Sequence, residues 1–203
     1  MADLASRPPT SETVRDEDWY GRDLDGERFE NVLILDTDLT EVVNHGGIFN
    51  ECTFRGARFN VSQHREAAFT NCTFVRCSFF DATLTGCKLT GSVFDGCDFG
   101  PVRVERGDWS FVDLSRADLR QARFTDVRLR EAELVGVRLD DAVLSGCDAS
   151  GAAWTRAVLT GCDLRGSDLS SLDPSTVELR GAKITIDQAV TLAEALGLDV
   201  RPD

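Results

Sequence analysis

The sequence predicts an all-β fold in which the chain winds into a stack of square coils, closed at the C-terminal end by a short helix. Three observations carry that expectation. Large apolar side chains recur at every fifth residue from Leu24 to Ile184 without a slip of frame. A small residue sits two places before almost every one of them. Glycine often sits two places after. Side chains repeat at about 3.6 residues on a helix and about 2.0 on a strand, so a period of five is neither. Five residues instead make one short extended piece and one corner, and four such pieces close a coil of twenty. Each coil then stacks on the last through parallel backbone hydrogen bonds, with coils about 4.8 Å apart.

Let the large apolar position be i. It runs through Leu24, Phe29, Ile34, Leu39, Phe49, Phe54, Phe59, Phe69, Phe74 and Phe79, and onward to Leu169, Leu179 and Ile184. Asn44, His64, Ala149 and Pro174 depart from it. Position i−2 is small almost throughout, most often Ala or Cys, and makes room beside the large residue. All seven cysteines, Cys52, Cys72, Cys77, Cys87, Cys97, Cys147 and Cys162, share this one register. An even set in a short secreted chain would suggest disulfides. An odd set in one packing register, with no CxxC pair, reads instead as small buried hydrophobes. Glycine at i+2, as at Gly56, Gly86 and Gly91, suits the unusual dihedrals of tight corners. Phe dominates i from Phe49 to Phe99 and Leu from Leu114 onward. A change of shape is expected near residue 100, where "FGPVRVERGDW" also leaves the pattern.

The ends need caps, because a terminal coil exposes apolar surface and unpaired backbone. Residues 1–15 are polar and Pro-containing and are expected to be disordered. The coil domain is placed at 16–184, with Trp19 and Tyr20 as an N-terminal lid, and a capping or dimerisation segment at 185–203. In "TIDQAVTLAEALGLDV", Asp187 can N-cap a helix. Val190, Ala193 and Leu196 follow helical spacing, Leu192 adds apolar surface, and Gly197 can end the helix. Spacing alone leaves both capping and dimerisation open and slightly favours capping.

The net charge is −13, from 35 acids against 22 bases. That argues against direct nucleic-acid binding and against docking on an anionic membrane. No apolar run reaches transmembrane length, and the N-terminus lacks a signal-peptide core, so a cytoplasmic protein is expected. Of the two histidines, His45 and His64, the second falls on the inward register one coil after Asn44, where a polar pair stacked inside or turned out accounts for both. No Ser-His-Asp or Cys-His arrangement stands out, and GxGxxG and GxxxxGK are absent, so neither enzyme activity, a cofactor nor a metal is expected.

Residues twenty apart stack on one face, and some acids form columns. Asp108, Asp148 and Asp168 share one, interrupted by Arg128. Asp113 and Glu133 begin a second, with Asp173 further on. Asp98 and Asp118 make a third. For any single acid a solvated face is sufficient explanation. Phe80 and Phe111 stand at outward positions and are candidate apolar contacts, with Val75 and Val135 similarly placed.

The sequence resembles the pentapeptide-repeat family, whose motif is A(D/N)LXX. "ADLRQ" at 117–121 matches it, with "CDLRG" at 162–166 and "SDLSS" at 167–171 as close variants. The resemblance implies a right-handed quadrilateral β-helix. The tail "ITIDQAVTLAEALGLDV" is similar to that of the MfpA and Qnr group, and "SQHREAAFTNCTF" and "CKLTGSVF" resemble its mycobacterial MfpA branch. The resemblance implies a homodimer joined through Ile184, Ile186, Val190, Leu192, Leu196 and Leu198. It also implies an acidic rod that takes the place of DNA on DNA gyrase, modulates supercoiling and protects the enzyme from fluoroquinolones. Duplex DNA is itself a rod of regularly spaced negative charge. The acidic surface of Asp98, Asp108, Asp113, Asp118, Glu133, Asp148 and Asp168 would then make the contact. Qnr proteins carry loops that interrupt the coils. The unbroken register here is nearer the loop-free type. A scaffold for another protein, or an immunity factor against a natural gyrase inhibitor, are the competing readings.

Overall fold

The computed structural model describes residues 12–201. Fourteen short strands and one helix are present among them. The strands form three parallel sheets of five, six and three members, each strand paired with the one twenty residues on. Thr53 opposes Thr73, and Thr73 opposes Val93. The fourth side is held by single-residue bridges, from Asp18 through Asp38, Arg58 and Ser78 to Asp98, and from Asp118 through Arg138 to Val158. The chain is thus a four-sided parallel β-helix, as the period of five requires.

The i residues fill its interior. Phe29, Phe49 and Phe69 stack with centroids 4.7 and 4.9 Å apart, and Phe54, Phe74 and Phe94 at 5.0 and 4.7 Å. The rise between coils, about 4.8 Å, falls within the range at which aromatic rings pack offset. One coil therefore delivers the next ring at contact distance. Position i−2 does more than leave room. Thiols of Cys72 and Cys77 donate to the carbonyls of Phe49 and Phe54, at 3.4 and 3.5 Å. Ser92 and Ser167 make the same bond at 2.6 and 2.7 Å and also accept the N–H of Cys72 and Cys147. Burial pushes the Cys87 and Cys162 thiols up to about 12 and Cys147 to about 11.

The polar pair on the inward register is stacked inside. His64 is buried and fully hydrogen-bonded: Asn44 Nδ2 donates to Nδ1 at 3.2 Å, and Nε2 meets Ser62 Oγ at 2.9 Å. Ser62 Oγ donates onward to the Phe59 carbonyl at 2.6 Å, which leaves it to accept from Nε2. The chain of bonds thus fixes a neutral imidazole protonated at Nε2. Burial lowers the His64 pKa to about 4.

Both ends differ in detail from expectation. Strand Glu12–Arg15 pairs with Val32–Leu35, so ordered coil begins before residue 16. The rest of the segment expected to be disordered lies outside the described residues. Trp19 is no lid. It occupies the i register, is buried, and packs on Phe29 at 5.6 Å, while Tyr20 is exposed. The five-residue frame therefore reaches back beyond Leu24. At the other end the helix spans Ile186–Ala195, and its N-cap is Thr185 rather than Asp187. Thr185 Oγ1 accepts the Gln188 N–H while Gln188 Oε1 accepts the Thr185 N–H, a reciprocal capping box. Asp187 falls in the first turn, where its charge suits the helix dipole. Gly197, at φ +82°, follows the last turn as anticipated. Gln188 Nε2 also donates to the carbonyls of Leu164 and Ser167, at 2.6 and 2.8 Å. With Leu192 buried over the last coil, the helix satisfies and covers the open end of the stack.

The expected change near residue 100 is present, and its cause is a single proline. At the regular corners residue i+2 has positive φ, as at Gly56 (66°), Val61 (57°) and Asp81 (54°). Its N–H donates to the next coil, as Val61 does to Phe80 at 2.8 Å. Pro101 stands at that position, with φ locked negative and no N–H. The left-handed residue moves back by one place to Gly100, at φ 46°. The ladder then fails locally. Among the described residues, the N–H groups of Gly96, Phe99, Asp118 and Gln121 lack the cross-coil partners that their counterparts one coil away possess. The other three sides stay closed: Phe94 N donates to Asp113 O, Arg123 N to Val102 O, and Trp109 N to Arg128 O. The result is a cleft of about 810 Å³ between Cys97–Gly100 and Asp118–Gln121.

Candidate partner-binding surface

The outward acids are first of all corner residues. At i−1 an Asp carboxylate reaches two residues ahead and accepts a backbone N–H as the chain turns. Asp98 accepts from Gly100, Asp108 from Ser110, Asp113 from Ser115, Asp118 from Arg120, Asp148 from Ser150 and Asp168 from Ser170, at 2.8 to 3.3 Å. Glu133 makes no such bond. The sequence signal for this role is Asp at i−1, two residues before the N–H it accepts.

Several of these acids are also paired. On one side Lys88, Asp108, Arg128 and Asp148 bridge from coil to coil. Arg128 lies 3.2 Å from Asp108, and Arg130 binds Asp148. That column alternates in sign, and Asp168 at its end has no ion pair. Asp118 is held by its neighbour Arg120 at 2.6 Å. Asp98 and Asp118 do not stack as expected, because the Pro101 opening separates them. Asp113 and Glu133 do sit on successive coils of one side. The Arg120 guanidinium holds Asp118 below the usual carboxylate range. At Asp108 and Asp148 partial burial pushes upward, but hydrogen bonds from Ser110 or Ser150 and from arginine outweigh it, so both also lie low. Uncompensated charge is left on Asp98, Asp113, Glu133 and Asp168. These occupy three different sides of the rod.

The apolar candidates are separate. Phe80 and Phe111 are each more than half exposed, at 51% and 54%. Phe80 lies over Gly100, where an added Cβ would meet its ring at 2.9 Å. Phe111 occupies a left-handed corner at φ 60°. Val75 and Val135 are half-buried. In the tail, Ile186, Leu196 and Leu198 are exposed, and Val200 adds to them. Leu192 faces the rod, with Ile184 and Val190 half-buried. The six residues expected at a dimer contact thus divide between the two faces of the cap.

The model for pentapeptide repeats matches in eight copies over residues 65–100, 110–146 and 138–171. Over those stretches the chain is built of pentapeptide repeats. The gap between 100 and 110 falls where Pro101 opens the ladder of this pentapeptide-repeat protein. Two solved structures of trypsin-treated variants of QnrB1, described as a plasmid-mediated fluoroquinolone resistance protein, are similar to it. One superposes with a TM-score of 0.76 at 24% identity, covering 95% of this chain and 96% of that one. The other gives 0.60 at 25% identity, covering 93% and 97%. No curated protein matches by sequence. Among the described residues no helix is long and apolar enough to cross a membrane.

Proposed function

We propose that this pentapeptide-repeat protein is a cytoplasmic, DNA-mimicking partner of DNA gyrase that modulates supercoiling and protects the enzyme from fluoroquinolones. The observation that carries the reading is the near end-to-end likeness to QnrB1, a fluoroquinolone resistance protein. A net charge of −13 on a rod supports it. Repeating carboxylates set by the coil rise give a cationic DNA-binding groove a surface to accept. Asp98, Asp113, Glu133 and Asp168 are the residues to make contact, since their charge is not spent internally. Two rods joined through Ile186, Leu196 and Leu198, with Ile184 and Val190 at the edge, would double the length presented. The cap itself keeps Leu192 within its own protomer.

The test is a gyrase supercoiling titration with and without ciprofloxacin at two salt concentrations. Inhibition that weakens with salt, or reduced drug-induced cleavage, is the expected result. No effect on either reaction overturns the proposal and leaves a repeat scaffold for a different protein. Drug protection without salt sensitivity would point to an immunity factor that does not imitate DNA.

A further inference from the structure

The seven cysteines are not equivalent. Six are buried, and Cys97 is half-buried. Its exposure follows from Pro101, because Cys97 lines the cleft that the broken ladder opens. Directly behind it stands Cys77, the same position one coil earlier. The backbones are in register there, with the Asp98 N–H donating to the Cys77 carbonyl at 2.9 Å. Residues so paired have Cα atoms about 4.8 Å apart, inside the roughly 4.4–6.8 Å that a disulfide spans. Both side chains point inward along the same side, donating to the Phe54 and Phe74 carbonyls at 3.5 and 3.4 Å.

We propose that Cys97 and Cys77 form an oxidisable dithiol served by the cleft, in which Cys97 reacts with small neutral oxidants or electrophiles and Cys77 resolves it to a disulfide. With hydrogen peroxide as oxidant, the Cys97 sulfur attacks one peroxide oxygen and the O–O bond breaks. The departing hydroxide takes the thiol proton and leaves as water, and Cys97 becomes a sulfenic acid. The Cys77 sulfur then attacks the Cys97 sulfur. The S–O bond breaks, its oxygen leaves as a second water carrying the Cys77 proton, and the S–S bond forms. The peroxide gains the two electrons that the two thiols lose. The neighbouring sulfur lowers the Cys97 pKa and raises that of Cys77, just as the Cys72 sulfur lowers that of Cys52, so access through the cleft rather than acidity sets Cys97 apart. The mouth carries Asp98, Asp118, Asp140 and Asp141 against Arg120 and Arg138, and this net negative balance disfavours anionic reagents.

Cys52 and Cys72 give an internal comparison. They too lie one coil apart in the same position, but both are fully buried, and no break opens beside them.

The experiment is pulse labelling of the folded protein with iodoacetamide, followed by unfolding, a second label and peptide mass mapping. Cys97 is expected to be labelled first, with Cys52 and Cys72 untouched. Peroxide is expected to remove two of the seven free thiols and to yield one disulfide, Cys77 to Cys97. In Cys77→Ser the sulfenic acid at Cys97 should persist and be trapped by dimedone. Pro101→Gly, which restores the N–H and tolerates the left-handed corner, should slow labelling of Cys97. Labelling of Cys97 no faster than of Cys52 and Cys72 overturns the proposal. So does peroxide treatment that leaves seven thiols, or a disulfide at another pair.

Discussion

Acid should weaken this rod through one buried side chain. His64 is neutral in the fold, with its pKa lowered to about 4 by burial, against about 6.5 when unfolded. The unfolded chain therefore binds a proton first. Stability is fully present above pH 6.5, declines as pH falls toward 4, and changes no further through this group below that. Two and a half units correspond to about 3 kcal/mol. Among the described residues no carboxylate contacts the ring. Its neighbours are Asn44, Ser62 and the rings of Phe59 and Phe69. The comparison is the wild type against Asn44→Leu/His64→Leu, which removes the titrating ring and its donor together; the Gly47 N–H also loses its acceptor, Asn44 Oδ1, a cost that does not vary with pH. Urea unfolding of both from pH 7.5 to 4.5 isolates the histidine, because the carboxylates titrate alike in each. The wild type should lose about 2.5 kcal/mol relative to the variant over that range. A difference that stays flat with pH, or a His64 ring resonance titrating near pH 6.5 in the folded protein, refutes the reasoning.

Other perturbations follow from single contacts. Gln188→Ala leaves the Ser167 carbonyl without its donor, and the Leu164 carbonyl with only the Ser167 N–H; it should cost about 1–3 kcal/mol, seen as faster hydrogen exchange confined to the last coil. Gly107→Ala places a Cβ against the backbone of Cys87, at 2.2 Å from its carbonyl oxygen and at φ +95°. A loss of about 3 kcal/mol or more is expected in thermal melts. Val61→Gly relieves a β-branched residue at φ 57° and should gain about 0.5–1 kcal/mol after the entropic cost of glycine. Asp98→Asn and Asp168→Asn keep an oxygen for the corner N–H and should alter stability by less than about 0.5 kcal/mol. Together with Glu133→Lys they should weaken gyrase inhibition, and an unchanged titration curve would remove these acids from the contact.

Most of the fold was legible because one spacing governs it. A frame of five fixes which side chains point inward, and the cysteines, the phenylalanines and His64 all obey it. What escaped was local hydrogen bonding. Trp19 looked like a lid because it stands before the longest clean run, yet it already occupies the frame. Asp187 and Thr185 are both plausible caps by composition, and the choice turned on Gln188 reaching back. The change near residue 100 was expected from the shift of Phe to Leu in the core, whereas the missing N–H of Pro101 opens the ladder. The acidic surface was the least legible part. Charge is countable from sequence, but whether Asp108 meets Arg128, or Asp148 meets Arg130, depends on side-chain reach across coils.

The opening at Pro101 also has a mechanical meaning. At that level the stack is stitched along three sides and unstitched along the fourth, like a book held open at one page. Bending that widens the gap costs no ladder bond, while bending in any other plane must stretch intact ones. The rod is therefore compliant in a single direction at a single height, and each half moves as a stiff arm about that crease. A partner that grips both arms fixes the angle between them, and the crease sets which angles are within easy reach.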